Sequence, residues 1–528
     1  MPVTIEPNSI VSDLEYEGTD LRFITAWPNP YNPRRGVLIY TAQRAQDVVG
    51  INSVTHGTTD YVIAQGETIL GAGSYMKSKD QWSIRPPLDL DDAFEDTDFF
   101  FRTVEQVHPN HLANISSADY KALKQQCRTT FEEEFQQKGR ISKASLALTL
   151  AEAAAAFGDG HTSLWLDSDL IESERSLPMP PFRLRWRAGR ILICDTTEQF
   201  EHIKGVRLLE INGVDIEEFL QPMLAMISGE RKAHRISRFL SKQQIYWALL
   251  QPVKKQHMEI TLASGHAEPE TLVINLIDLP LYRKTFKAAA ELHPPGTHCF
   301  YHNDRTCYWR YNNFNYTKGG RKAIDAVFSE IRDRDSQNLI IDLRFNGGGS
   351  SYAGDYILNY ITSQSYRMYS GSDVKISKQV YEKGLLSILA RLMRGRIYKH
   401  RNWLKRPHNM GFRFGGRIYA LIGPATFSSA SDFAAVLEDF DIATLVGEET
   451  GGLRECFGDS PRFTLPNSGL QFSVSHKLFF APKPKPDDDK RGVVPDIAIN
   501  DELLAECMDA EDPVLAFTLN MIEEKDRM

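Results

Sequence analysis

Cysteine is scarce in this chain, six in 528 residues (Cys127, Cys194, Cys299, Cys307, Cys456 and Cys507), and no two of them form a CxxC pair. That spacing argues against a zinc or dithiol motif and points to buried or free thiols, with a Cys299–Cys307 bridge left open. Long apolar runs are missing too, and no stretch is long enough to cross a bilayer. Residues Met1–Asn8 lack a basic region followed by an apolar core. A cytoplasmic protein is expected as written, or an exported one if a leader has been trimmed. A basic surplus is also absent: the net charge is -8, which gives no general reason to expect nucleic acid as a partner. What remains, 42% hydrophobic and 25% charged, is the composition of a globular protein. At a prior of about 150 residues per domain, the length implies three or four domains.

Hydrophobic periodicity divides the chain. Residues 1–87 mix short β-like runs (Gly36–Tyr40, Tyr61–Ala64, Thr68–Leu70) with Gly, Pro and Asn, which predicts a small β-rich region. Its His56 reads as a polar turn residue or a catalytic candidate. Residues 88–165 turn helical. Phe94, Phe99, Phe100 and Val104 mark one helix, Tyr120, Leu123, Cys127 and Phe131 a second, and Leu146, Leu150, Ala153 and Phe157 a third, with Ser116 and Ser142 as caps. Residues 178–280 are β-rich again. After a linker around His293–Gly296, residues 281–500 read as an α/β domain, followed by a C-terminal helix in 501–528. An insertion at Val374–Phe414 sets Leu385, Leu386, Ile388 and Leu389 beside Arg391, Arg394 and Arg396. It is read as a basic amphipathic flap over the active site, in preference to a membrane or nucleic-acid surface.

Two strand-to-loop junctions carry the chemistry. Ile418–Ile422 is a short apolar run closed by Gly423-Pro424, and Thr426-Phe427-Ser428-Ser429 then leads into helical spacing at Phe433, Val436, Leu437 and Phe440. Hydroxyls at such a junction cap the helix, or one of them is a nucleophile beside free N–H groups at the positive end of the helix dipole. Asn338–Arg344 is a second buried-strand pattern, running into Phe345-Asn346-Gly347-Gly348-Gly349-Ser350. This loop lacks the Gly-Lys-Ser/Thr ending of a P-loop and the spaced glycines of a dinucleotide fingerprint. Bare backbone donors for an oxyanion fit it better.

Asp342–Gly349, Thr426–Ala434 with Ala443–Gly447, and Gly492-Val-Val-Pro-Asp-Ile497, in that order, resemble the C-terminal processing (tail-specific) serine peptidases. The resemblance covers roughly Asp89–Ile499. It implies a multidomain α/β protein with a ClpP/crotonase-like catalytic domain in 281–500 and a PDZ-like domain in 178–280. Gly205–Ile216, centred on Ile-Asn-Gly, with Met258–Leu262 and Thr271–Asn275 as closing strands, is similar to a PDZ strand-turn-strand. The Gly-Leu-Gly-Phe carboxylate loop is missing, so this region reads equally as a binder of chain termini or as a spacer.

One branch of that family deprotonates its serine with a lysine six residues after the Val-Gly glycine. Here that position is Leu453, and no lysine lies between Gly447 and Lys477. The tricorn-core-like branch uses a Gly-Asp-x-His turn instead, which His161 matches. A lysine base needs burial to lower its pKa by several units, whereas imidazole, at about 6.5, does not. It does need an orienting carboxylate. Aligned without a gap, the resemblance implies Ser428 as nucleophile. Ser429 would require a deletion that turns the helix by about 100°. The Ser429 N–H, with that of Gly347 or Gly348, would form the oxyanion hole. The orienting acid of this branch lies three residues before the Gly492 glycine, which implies Asp489, with Asp487, Asp488 and Glu449 as alternates.

The expected function is a serine endopeptidase that cleaves a protein or peptide through an acyl-enzyme, with a Ser/His/acid triad and no metal or cofactor. Homo-oligomerisation is left open. Two other classes remain: a crotonase-like acyl-CoA enzyme, which would need neither His161 nor Ser428, and a catalytically inactive module holding peptides or apolar ligands.

Overall fold

The computed structural model describes residues 2–527 except 13–14, 30, 52–53, 55–59, 67, 74, 79–80, 85–87, 167–169, 171–176, 188, 251–255, 264–267, 287–297, 303, 381–392, 505–506 and 508–509. His56, the 293–296 linker and the 385–391 part of the expected flap helix lie outside the described residues.

Asn338–Asp342, buried at every position, is an interior strand of a six-stranded sheet. The order is His298–Tyr301, Thr306–Arg310, Asn338–Asp342, Arg417–Ile422, Thr444–Gly447, Ile497–Ala498. Every neighbouring pair is parallel except the first. His298–Tyr301 and Thr306–Arg310 form a hairpin, the chain turning at His302 and Asp304 with φ of 55° and 67°. All six cysteines are free, with Cys299 opposite Tyr308 and Cys307 opposite Phe300.

Successive side chains on these strands point to opposite faces. Leu339, Ile341, Ile418, Ala420 and Ile422 belong to one core, shared with the helices Lys318–Asp333, Ser351–Ile361 and Ser429–Asp439. Tyr308, Ile340, Tyr419, Leu421 and Val446 belong to another, shared with Leu515 and Ile522 of the helix Pro513–Arg527. Burial on both faces is why these strands read as continuous apolar runs. The expected single helix in 501–528 is two, Asp501–Leu504 and Pro513–Arg527. Asn338–Asp342 and Arg417–Ile422 are parallel neighbours, with Asp342 opposite Leu421. The two chemistry-bearing loops therefore leave side by side from the carboxyl ends of adjacent strands, where open α/β sheets place their sites.

Upstream, the helices Leu90–Val107, Ser117–Lys138 and Lys143–Ala155 start at Asp89, Ser116 and Ser142. Ser116 Oγ accepts the Asp119 N–H and Ser142 Oγ that of Ser145, each satisfying an end-of-helix donor. Their core is continuous with the 178–280 region, whose strands Phe182–Arg187, Arg190–Thr196, Arg207–Ile211, His257–Ala263 and Glu270–Asn275 form an antiparallel sheet. Asn212 and Gly213, at φ 51° and 74°, make the tight turn to Val214–Asp215. Among the described residues, the region also holds three α-helices that the β-rich reading missed: Ile216–Leu224, Lys232–Ser241 and Gln243–Leu250.

The described flanks of the insertion are strands, not a helix. Gly371–Lys375 and Ile397–Arg401 pair with each other and, through Lys477–Phe480, with Cys456–Gly458. Residues 1–87 carry a four-stranded sheet of Asn32–Ala42, Leu21–Asn29, Tyr61–Gln65 and Thr68–Gly73. No described helix is long and apolar enough to cross a membrane.

Candidate active site

Ser428 stands at the junction between the Arg417–Ile422 strand and the Ser429–Asp439 helix. Its backbone is forced to φ 54°, ψ -134°, and its hydroxyl makes no capping bond. The neighbouring hydroxyls are occupied: Thr426 Oγ1 donates to the Leu343 carbonyl and accepts the Gly423 N–H, Ser429 Oγ donates to the Gly349 carbonyl, and Ser431 Oγ to that of Thr426. A non-glycine residue held at such an angle costs about 1–3 kcal/mol. The elbow turns the Ser428 side chain away from the helix and toward His161, whose Nε2 lies 2.9 Å from Ser428 Oγ.

His161 is set by the turn that precedes it. Asp159 Oδ1 accepts the His161 N–H at 2.9 Å, and its Oδ2 accepts Thr162 Oγ1 at 2.6 Å and meets His108 Nε2 at 3.2 Å. The strand that follows, Ser163–Leu164, pairs with Gln471–Ser473, and Ser473 Oγ donates to the His161 carbonyl at 2.7 Å. The ring stacks on Phe427 at 4.6 Å, and Phe427 stacks on His234 at 4.2 Å. Burial lowers the His161 pKa, against the Asp159 charge that raises it. The ring is therefore neutral at pH 7, the state a base requires. Burial alone would raise the Asp159 carboxyl, but the His108 hydrogen bond and the neighbouring histidines hold it well below the usual range.

The glycine loop lies against this elbow. Asn346 donates through Nδ2 to the Tyr311 carbonyl and accepts the Gly348 N–H at 2.9 Å, while its own carbonyl accepts the Phe427 N–H at 3.0 Å. A Cβ on Gly348, at φ 97°, would stand 2.6 Å from Ser428 Cβ and 3.0 Å from the Ser429 nitrogen. The Gly348 N–H is thus spent on Asn346, and the residue's part is close approach, not donation to an oxyanion. A Cβ on Gly347 would meet nothing within 4 Å. The root of the loop is fixed by Arg344, which pairs with Asp342 at 2.7 Å and with Asp512, ahead of the last helix, at 2.5 Å.

Asp489 is not brought to the pair. The turn Asp487–Arg491 points Asp488 inward to Arg454 at 2.7 Å and leaves Asp489 exposed. Arg454 also chelates Asp439, so this cluster sits at the far end of the helix that Ser428 begins. Of the alternates, Glu449 is bound to Arg231 and the Gly492 N–H. Among the described residues, two carboxylates that do come close to the His161 ring are Asp159 and Glu230. One oxygen of each and one His161 ring nitrogen lie within 4.8 Å of one another, which among the described residues is also the arrangement that could hold a metal ion. Asp159 was visible inside the Gly-Asp-x-His turn, whereas Glu230, His234 and Arg238 carry no local signal.

Residues 305–499 match the model of Peptidase family S41, a span that contains Ser428 and the glycine loop while His161 lies before it. Mature CPAF complexed with lactacystin is similar at TM-score 0.54 and 15% identity, covering 78% of this chain and 94% of that one, a likeness of fold. The photosystem II D1 C-terminal processing protease aligns at TM-score 0.39 and 15% identity over 80% of this chain and 99% of its own. Tricorn protease aligns at 0.36 and 12% over 100% and 46%. Over residues 305–499, the chain is thus similar to the peptidases of family S41.

Proposed function

We propose that the chain is a serine endopeptidase of the C-terminal processing kind, in which His161 is the general base, Ser428 the nucleophile, and the Gly347 and Ser429 N–H groups the oxyanion hole. The observation that carries this reading is the 2.9 Å contact between Ser428 Oγ and His161 Nε2, two side chains 267 residues apart. Ser428 gives its proton to Nε2 as Oγ attacks the peptide carbonyl, and the ring returns it to the leaving amine. Water, deprotonated by the same ring, then releases the acyl group. The Ser429 N–H stands at the free amino end of a helix, where developing negative charge is stabilised. Residues 281–500 are taken as the ClpP/crotonase-like catalytic domain and 178–280 as a PDZ-like domain placed before it. The substrate is a protein or peptide.

A fluorophosphonate probe with fluorescein-labelled casein tests the reading. Labelling should map to Ser428, and Ser428→Ala or His161→Ala should lower kcat by about 10⁴-fold or more. Ser429→Ala should keep activity. Casein hydrolysis that survives His161→Ala would refute it.

A further inference from the structure

The geometry points to Glu230, from the segment between the 178–280 helices, as the positioning residue of His161: its Oε2 is the acceptor for the Nδ1 proton when the ring becomes imidazolium. This rests on His161 being the base. Nδ1 of His161 is buried with no close hydrogen bond, the Phe457 carbonyl standing near the ring, and Oε2 of Glu230 is buried without a hydrogen-bond partner. Asp159 is nearer in sequence but spent. Its Oδ1 holds the His161 N–H and stands 3.9 Å from Nδ1, and its Oδ2 serves Thr162 and His108. Glu230 holds its place through Oε1, which accepts the Gly160 N–H at 3.1 Å, leaving Oε2 uncommitted.

The surrounding segment is built for this position. Arg231 pairs with Glu449 at 2.5 Å and donates to the Thr450 carbonyl, His234 Nδ1 meets the Pro424 carbonyl at 2.9 Å, and Arg238 donates to the Gly160 carbonyl at 2.9 Å. The peptide before the base is thus gripped on one side by Glu230 and on the other by Arg238. Gly160 admits this approach because it has no Cβ, which would stand 2.9 Å from Glu230 Oε2 and 2.6 Å from Phe427.

Atoms and charge balance in the step. The Ser428 proton moves to Nε2, the ring gains a positive charge and keeps its Nδ1 proton, and an ionised Glu230 accepts a hydrogen bond from that proton without taking it. The charge of Glu230 is therefore part of the device. Burial and the Asp159 charge raise its carboxyl to about 7, against the Gly160 N–H, its own N–H and Arg238, which lower it. Around the ring itself stand Asp159, Arg238, Asp459 and the Phe457 carbonyl.

Glu230→Gln tests the inference, since its amide oxygen keeps the Gly160 bond while removing the charge. With fluorescein-casein, kcat is expected to fall by about 10²–10⁴-fold with KM little changed. Glu230→Asp, which restores a carboxylate, should recover part of kcat, and keeps the test open should the amide variant fold poorly. Asp489→Asn, the control, should behave as wild type. A Glu230→Gln enzyme with wild-type kcat would overturn the inference and leave the Phe457 carbonyl as partner of the ring. His161→Ala separates the two levels: if it too stays active, the base assignment fails as well.

Discussion

Gly348→Ala isolates close approach from every other property of the glycine loop. The added Cβ would lie 2.6 Å from Ser428 Cβ and 2.8 Å from the Phe427 carbonyl oxygen, at a backbone φ of 97°. Carbon atoms in contact sit about 3.5–4.0 Å apart, so the loop and the elbow must separate by roughly 1 Å. A misplacement of that size costs about 10²-fold in rate. The unfavourable φ adds about 1–3 kcal/mol of destabilisation and the overpacking about 1–3 more. Gly347→Ala is the matched control. Its Cβ would point into open space, Gly347 is not among the positive-φ residues, and the N–H proposed as oxyanion donor is retained. Casein hydrolysis, the rate of fluorophosphonate labelling and urea unfolding should therefore separate the two variants. Gly348→Ala should lose at least about 10²-fold in kcat and label slowly, and Gly347→Ala should stay near wild type in stability with a modest change in rate. If Gly348→Ala labels and turns over at the wild-type rate, the placement of the loop against Ser428 is wrong.

Arg344→Ala should destabilise the fold by about 3–5 kcal/mol in urea, because it leaves the fully buried Asp342 without its cation. Asp512→Asn, which loosens only the partly exposed side of the same guanidinium, should cost less, and both should lower kcat because the glycine loop begins at that residue. Asp432 is pushed up to about 7 by burial, although Tyr369 Oη donates to it at 2.8 Å. A carboxyl raised in the folded state holds a proton that the unfolded chain releases above pH about 4, so this group's stabilisation is present below that pH and is lost as pH rises through about 7. Asp432→Asn should flatten the fall in urea midpoint between pH 5 and 8. The change is at most about 4 kcal/mol, and a residual slope of the same sign should come from Glu230.

What could be read from residues alone was whatever depends on near neighbours or on alternation along one element. Ser116 and Ser142 announce helix starts because a cap reaches only three residues ahead. Asn338–Asp342 announces a strand buried on both faces because every side chain in it is buried. His161 stood out through its Gly-Asp-x-His turn, in which Asp159 fixes the backbone two residues on. Asp489 shows where that kind of reading stops. Three consecutive carboxylates are chemically alike, and which one faces inward is decided by Arg454, 34 residues from Asp488, which is itself held by Asp439 on a third element.

Glu230 carries the same lesson further. The spacing of Ile236, Phe239 and Leu240 marks a helix with one apolar face, and burial of that face carries the helix into the core shared by 88–165 and 178–280. Only once that face is buried do the polar groups beside it acquire partners: Glu230 and Arg238 close on the Gly160 peptide, His234 on Pro424 and Phe427, Arg231 on the turn after Gly447. No spacing between Glu230 and His161, or between either and Ser428, could encode this, since the three meet through packing and not through the chain. The consequence is mechanical. The Gly160 N–H and carbonyl both end on one segment, Glu230 and Arg238, so the alignment of His161 to Ser428 depends on that segment holding its place beside Gly160.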